Sequence, residues 1–154
     1  MASEKKRTEQ DIHNIAMQHQ QMQYQAEGLM QQVNMVGLSI DESNRAINSI
    51  NELEGMEDGH EIMVPIGSNT NIRANLVKPD GVIIEIGAGI SIEKKLEDAK
   101  KSLEKQNNEL TQYQQNLQKT LNEMISKMKE MEAVVTSATQ QQQHAQPGQP
   151  MQGS

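Results

Sequence analysis

The sequence predicts a mainly α chain: a long antiparallel coiled-coil hairpin with two β-hairpins, four short strands, between its helices, the strands contributing to a β-barrel shared between subunits. Three observations carry that expectation. Two long stretches repeat their apolar residues every seven positions, and the stretch between them alternates with a period of two. The 154 residues include two tyrosines but no Phe or Trp, the side chains that usually dominate a compact core. The abundance of Gln, Glu, Lys, Met and Leu also suits long amphipathic helices better than a packed enzyme domain.

The first helix is expected within residues 1–57. From Ile12, one seam runs through His19, Ala26, Val33, Ile40 and Ile47, and a second through Ile15, Met22, Leu29, Val36, Ser43 and Ile50. A 3.5-residue period held this long marks a supercoiled helix, since a helix lying on a globular core has a wider apolar face. Gly55, followed by Met56-Glu57-Asp58-Gly59, supplies the turn that stops it. Gly28 and Gly37 each cost up to ~1 kcal/mol against alanine, which predicts a moderately flexible helix.

The second helix is expected within residues 93–139. Its seam reads Leu96, Ala99, Leu103, Gln106, Leu110, Tyr113 and Leu117, then Leu121, Met124, Met128, Met131, Val135 and Ala138. Two successive steps of four, Tyr113 to Leu117 to Leu121, place a stutter there. Each helix is about 45 residues, or roughly 70 Å at 1.5 Å rise, so the two can pair throughout; a short connection forces them antiparallel.

Residues 58–92 carry the β segment. Ile62, Val64 and Ile66, then Ile72, Ala74 and Leu76, then Val82, Ile84 and Ile86, then Ile90 and Ile92 put one apolar face on even positions. Gly67-Ser68-Asn69-Thr70, Lys78-Pro79-Asp80-Gly81 and Gly87-Ala88-Gly89 are the intervening turns. Pro65 lacks a ladder N–H and places its strand at an edge, or its own position outward. The helical seams already occupy each other, so this face has no cover within the chain, and each large side chain left wet forfeits ~1.5–3 kcal/mol. Other subunits are therefore expected to close the sheet, which would also remove its open edges. Residues 140–154, Gln-rich with Pro and Gly, have nothing to bury and are expected to be a disordered tail.

Most chemistry is excluded. The net charge of −7 argues against a nucleic-acid partner, and the basic run Lys5 to Arg7 is short and terminal. With no cysteine there is no thiolate nucleophile or disulfide frame. No run approaches the roughly 20 apolar residues of a membrane span, and the N-terminus lacks a signal centre, so a cytoplasmic setting is expected. His13, His19, His60 and His144 are too far apart to make a metal pair, and no metal or cofactor is expected. Gly87-Ala88-Gly89 lacks the third glycine of a dinucleotide loop, and Glu97 with Lys101 reads as a solvated i,i+4 pair. No convergent polar set suggests an enzyme.

The methionines point elsewhere. Met17 and Met22 near the start of the first helix should approach Met124, Met128 and Met131 near the end of the second. Seam packing accounts for part of this. Flexible, polarizable side chains at a frayed pair of helix ends can also grip apolar segments of varied shape.

The run Ile62-Met63-Val64-Pro65-Ile66-Gly67, then Ile72-Arg73-Ala74, then Val82-Ile83-Ile84-Glu85-Ile86-Gly87-Ala88-Gly89, and Ile92-Glu93-Lys94 leading into the second helix, resembles the α-class subunit of prefoldin over about residues 8 to 138. Two hairpins rather than one point to the α class. The resemblance implies an ATP-independent chaperone, a hexamer of two α-class and four β-class subunits with a β-barrel platform and projecting arms. These would hold non-native polypeptide at their tips and deliver it to a group II chaperonin. The tip residues would by position be Ile12, Ile15, Met17 and Met22 with Met124, Met128, Met131, Val134 and Val135. The rival expectation is a coiled-coil tether or cytoskeletal adaptor with one defined folded partner.

Overall fold

A computed structural model describes residues 8–77 and 80–144. The elements run α1 (Glu9–Glu54), β1 (Glu61–Gly67), β2 (Thr70–Asn75), β3 (Gly81–Gly87), β4 (Ile90–Lys95) and α2 (Leu96–His144). The chain thus has two long helices with two antiparallel β-hairpins between them. It divides into two compact units, the described residues up to Asn34 with those from Gln115 onward, and Met35–Gln114.

Thr8 starts α1 with a capping box. Its hydroxyl accepts from the Asp11 N–H at 3.3 Å, while the Asp11 carboxylate accepts from the Thr8 N–H at 2.9 Å and hydroxyl at 2.8 Å. The far end closes with tightened i→i−3 bonds, Gly55 N–H to the Glu52 carbonyl and Met56 N–H to that of Leu53. The helix therefore stops at Glu54, at the Gly55 turn expected to end it and within the segment 1–57.

Every expected seam position of α1, from Ile12 through Ile50, is half-buried or buried. In α2 two expectations are corrected. Gln106 and Tyr113 are exposed, Tyr113 by 52%, and their neighbours Asn107 and Gln114 take the seam. The successive steps of four consequently run Ala99 to Leu103 to Asn107, and the stutter lies there rather than at Tyr113 to Leu121. Within Met35–Gln114 the helices are antiparallel. Asn107 Nδ2 donates to Asn44 Oδ1 at 2.6 Å, and a Cβ on Gly37 would lie 3.1 Å from Gln114 Nε2. A step back along α1 is a step forward along α2. Gly37 thus makes room for the Gln114 amide, which accounts for one of the two glycines in the helix.

This unit buries Ser43, Ile50 and a fully covered Ala99, while Ala26 and Leu121 are the buried apolar residues of the other. Small residues at the seam let the helices approach, and no large side chain is fully buried among the described residues. Asn107 Oδ1 is buried without a hydrogen-bond partner. Burying an unpaired acceptor costs roughly 1–3 kcal/mol. Asn107→Leu is therefore expected to raise stability by about that amount in urea denaturation, and an unchanged or lowered midpoint would contradict the assignment. What the asparagine supplies is register, since its one bond to Asn44 forms in a single alignment of the helices.

The hairpins are separate two-stranded sheets, β1–β2 and β3–β4. Ile62 faces Ala74 and Val64 faces Ile72 in the first; Ile84 faces Ile92 in the second. The turns at Ser68-Asn69 and Ala88-Gly89 have positive φ at both central residues, the twist that matches paired strands. Gly67 and Gly87 (φ 113° and 107°) sit at the bulges that follow Pro65 and Glu85. β4 continues to Lys95 because its partner begins at Gly81, so the second helix starts at 96 rather than 93. That helix also continues through His144, where a disordered tail was expected from 140; glutamine is a good helix former and needs no buried face to extend an existing helix. The rest of that tail, and the Lys78-Pro79 part of the expected turn, lie outside the described residues.

Gly81 is there for space. A Cβ at this position would fall on the Lys94 carbonyl, a backbone atom that cannot move aside. Gly81→Ala is expected to cost about 1–3 kcal/mol as overpacking strain. Amide hydrogen exchange should show protection lost in β3–β4 and kept in β1–β2; equal protection in both would count against it.

Candidate functional site

Two groups of apolar side chains stand out, and each belongs to one unit. In Met35–Gln114 the even-numbered faces of the hairpins are only partly covered. Ile62, Ala74, Leu76, Val82, Ile84 and Ile92 are half-buried, whereas Val64, Ile66, Ile72, Ile86 and Ile90 are exposed, Ile66 by 59% and Ile86 by 58%. Alternation along each strand puts these side chains on one side, and the direct cross-strand pairs align them into rows. No barrel is closed within one chain. Lys94 shares this face opposite Val82, a polar residue that the apolar pattern passes over. Its ammonium donates to Ser102 Oγ at 2.9 Å, which carries the charge off the strand and onto α2 while the aliphatic stem stays with the sheet.

In the other unit the first turns of α1 and the last turns of α2 carry the expected tip residues. Ile12, Ile15, Met22, Met124, Met128, Met131, Val134 and Val135 are half-buried, and Met17 is 58% exposed. These residues fall into two positional groups. Ile12, Ile15, Met22, Met124, Met128, Met131 and Val135 lie on the seam and pack the helices, while Met17 and Val134 lie off it. Tyr24, Met30 and Ile125 are further exposed apolar side chains of this unit that the sequence reading missed. Their off-seam heptad positions were the available signal.

Neither group has the makings of a reaction centre. Among the described residues no three His, Asp or Glu side chains converge to hold a metal. A hollow beside Met17 and Tyr24 and another beside Gln118 and Asn122 are each lined by one helix and open to water. Lys101 donates to Glu97 at 2.8 Å; this bond, then the lysine's charge, with Lys95 adding to it, holds the Glu97 carboxyl below its ordinary range, and the same bond raises Lys101. Both side chains are largely exposed, as expected for a solvated pair. Among the described residues no helix is long and apolar enough to cross a membrane.

A family model described as prefoldin subunit matches residues 22–141. The chain belongs to the prefoldin family. Among its relatives are the prefoldin subunit alpha of Methanococcoides burtonii, 34% identical over 83% of this chain and 93% of that one, and that of Methanosarcina barkeri, 38% identical over 81% and 89%. The subunit alpha of Thermofilum pendens is 27% identical over 82% of this chain and 98% of its own length. A filamentous PFD of Methanocaldococcus jannaschii, solved by cryo-electron microscopy, has the same fold, with a TM-score of 0.63 and 24% identity over 74% of this chain and 94% of that one. These relatives place the chain with the α class of prefoldin. Prefoldin subunits are non-enzymatic chaperone components, in keeping with a surface that offers apolar contact rather than convergent polar groups.

Proposed function

We propose that this prefoldin chain is the α-class subunit of an ATP-independent holdase of the cytoplasm. Its even-numbered sheet faces pair with those of β-class subunits and of a second copy, two copies with four β-class chains, to close a β-barrel. The paired helix ends, Ile12, Ile15, Met17 and Met22 with Met124, Met128, Met131, Val134 and Val135, then hold non-native polypeptide and pass it to a group II chaperonin.

The observation that carries this reading is the exposure of Met17 beside half-buried methionines at the helix ends, where flexible apolar side chains can conform to many segments. Contacts of this kind are weak singly. Several arms holding one chain raise the local concentration of the next contact, so a polypeptide exposing several apolar segments is retained and a folded one escapes. No nucleotide is required for such a cycle. Mixed with a denatured protein, the complex of this chain with β-class subunits is expected to suppress light scattering without ATP. Scattering that rises as fast as in its absence would count against the holdase.

A further inference from the structure

We propose that residues 145–154 of this chain fold back onto the outer face of α1 and cover Met17 and Tyr24. The seat follows from this chain alone; its effect on capture rests on the reading above, in which Met17 is a capture residue.

The face lies off the seam, in the unit that holds the first turns of α1 and the last turns of α2. Met17 and Tyr24 stand one heptad apart, about 10 Å along the helix. They are 58% and 67% exposed and line an open hollow with Asn14, Gln18, Gln20 and Gln21. A helix face left in water ordinarily carries charge. Yet from Ile12 to Ile40, histidines aside, Glu27 is the one ionisable side chain that is charged at neutral pH. Such a face draws no charged partner and suits an uncharged one, with amides for the glutamines and apolar groups for Met17 and Tyr24. Residues 133–154 contain no Asp, Glu, Lys or Arg.

Residues 146–154 are also a three-residue repeat, Gln146-Pro147-Gly148, Gln149-Pro150-Met151 and Gln152-Gly153-Ser154. Three residues per turn is the period of polyproline II, whose ~3.1 Å rise sets equivalent residues about 9 Å apart. That spacing is close to the roughly 10 Å step from Met17 to Tyr24. In this conformation the glutamines fall on one edge, toward the amides of α1. Pro147 and Pro150 fall on a second, the kind of edge that packs against an aromatic ring such as that of Tyr24.

The segment reaches. Half-burial on the seam begins at Ile12 in α1 and ends, among the described residues, at Ala138 in α2, which sets these two about level. His144 then lies roughly 9 Å beyond Ala138, with Met17 and Tyr24 roughly 8 and 18 Å back along α1. Residues 145–154 extend up to about 33 Å, enough to pass Met17 and come to Tyr24. Met151, at ~3.1 Å per residue, comes down between them. A weak contact suffices, because so short a tether supplies an effective concentration on the order of millimolar. A single apolar segment must then compete with the seated tail, whereas a polypeptide held by several arms displaces it.

The chain has no cysteine, so Gln152→Cys takes a spin label at one position, attached before assembly. In the full chain, alone and in complex with β-class subunits, the label is expected to broaden the Met17 methyl signal at least threefold more than that of Met131, at a similar level on α2. Tyr24→Ser should at least halve that preference with unchanged circular dichroism, and placing label and isotope on different copies should abolish it. Equal broadening of the two methyls, a preference that Tyr24→Ser leaves intact, or broadening from one copy to another overturns the proposal. With the tail seated about half the time, removing residues 145–154 should lower about twofold the concentration of complex that half-suppresses light scattering by a denatured protein. A seat upheld by the label, beside suppression that truncation leaves unchanged, counts against capture at Met17 and not against the seat.

Discussion

Ile84→Lys is expected to abolish assembly with other prefoldin subunits while leaving the chain helical. Ile84 stands in the middle of β3, directly opposite Ile92, on the face that the single chain leaves half-covered. If partner strands close over it, the lysine forfeits ~1.5–3 kcal/mol of apolar burial. Its ammonium is also enclosed without a counter-charge, at a further cost of several kcal/mol. At about 1.4 kcal/mol for each factor of ten, the affinity falls by roughly three orders of magnitude or more. The helices need not notice, because their seams run through other residues, so the circular dichroism at 222 nm should hold. Ile84→Val, which removes one methylene worth about 1 kcal/mol, should assemble normally. Native mass spectra with the same subunit count for Ile84→Lys and wild type would sink the barrel assignment.

The outcome on Ile84 turns on a feature that was plain in the sequence, because a period of two leaves no ambiguity about which residues share a side. The same holds for the seam of α1, where strict heptads run from Ile12 to Ile50 and the structure buries each position at least in part. α2 was harder for a physical reason. Reading by apolarity prefers Tyr113 to Gln114 and has no ground for choosing Asn107 over Gln106, yet the paired helices seat two amides where the α1 side offers Asn44 and the gap at Gly37. Polar seams are set by what the opposite helix presents, which a one-dimensional pattern does not contain. The displaced stutter follows from those two positions together. The ends of the elements were also beyond reach, since β4 reaches Lys95 only because β3 begins at Gly81. For the helix ends, the heptads could not separate the residues that pack the seam from those that lie off it, a division that depends on angles around the helices.

That division makes the second large effect testable. Substituting Met17→Ser together with Val134→Ser removes off-seam apolar side chains and should leave the coiled coil paired, because neither lies in its seam and serine differs little from valine in helix propensity. Substituting Met22→Leu together with Met128→Leu does the reverse, keeping apolar volume in the seam and removing the thioethers. If capture is adaptable apolar contact at the exposed surface, the serine pair loses about 1 kcal/mol or more per arm, and the losses compound when several arms hold one polypeptide. Suppression of light scattering should then require roughly ten times more complex, while the leucine pair performs nearly as the wild type. Methionine plasticity deeper between the helices predicts the opposite order, with the leucine pair impaired. Full suppression by both pairs, in complexes of normal mass, would mean that the helix ends of this chain do not hold the substrate.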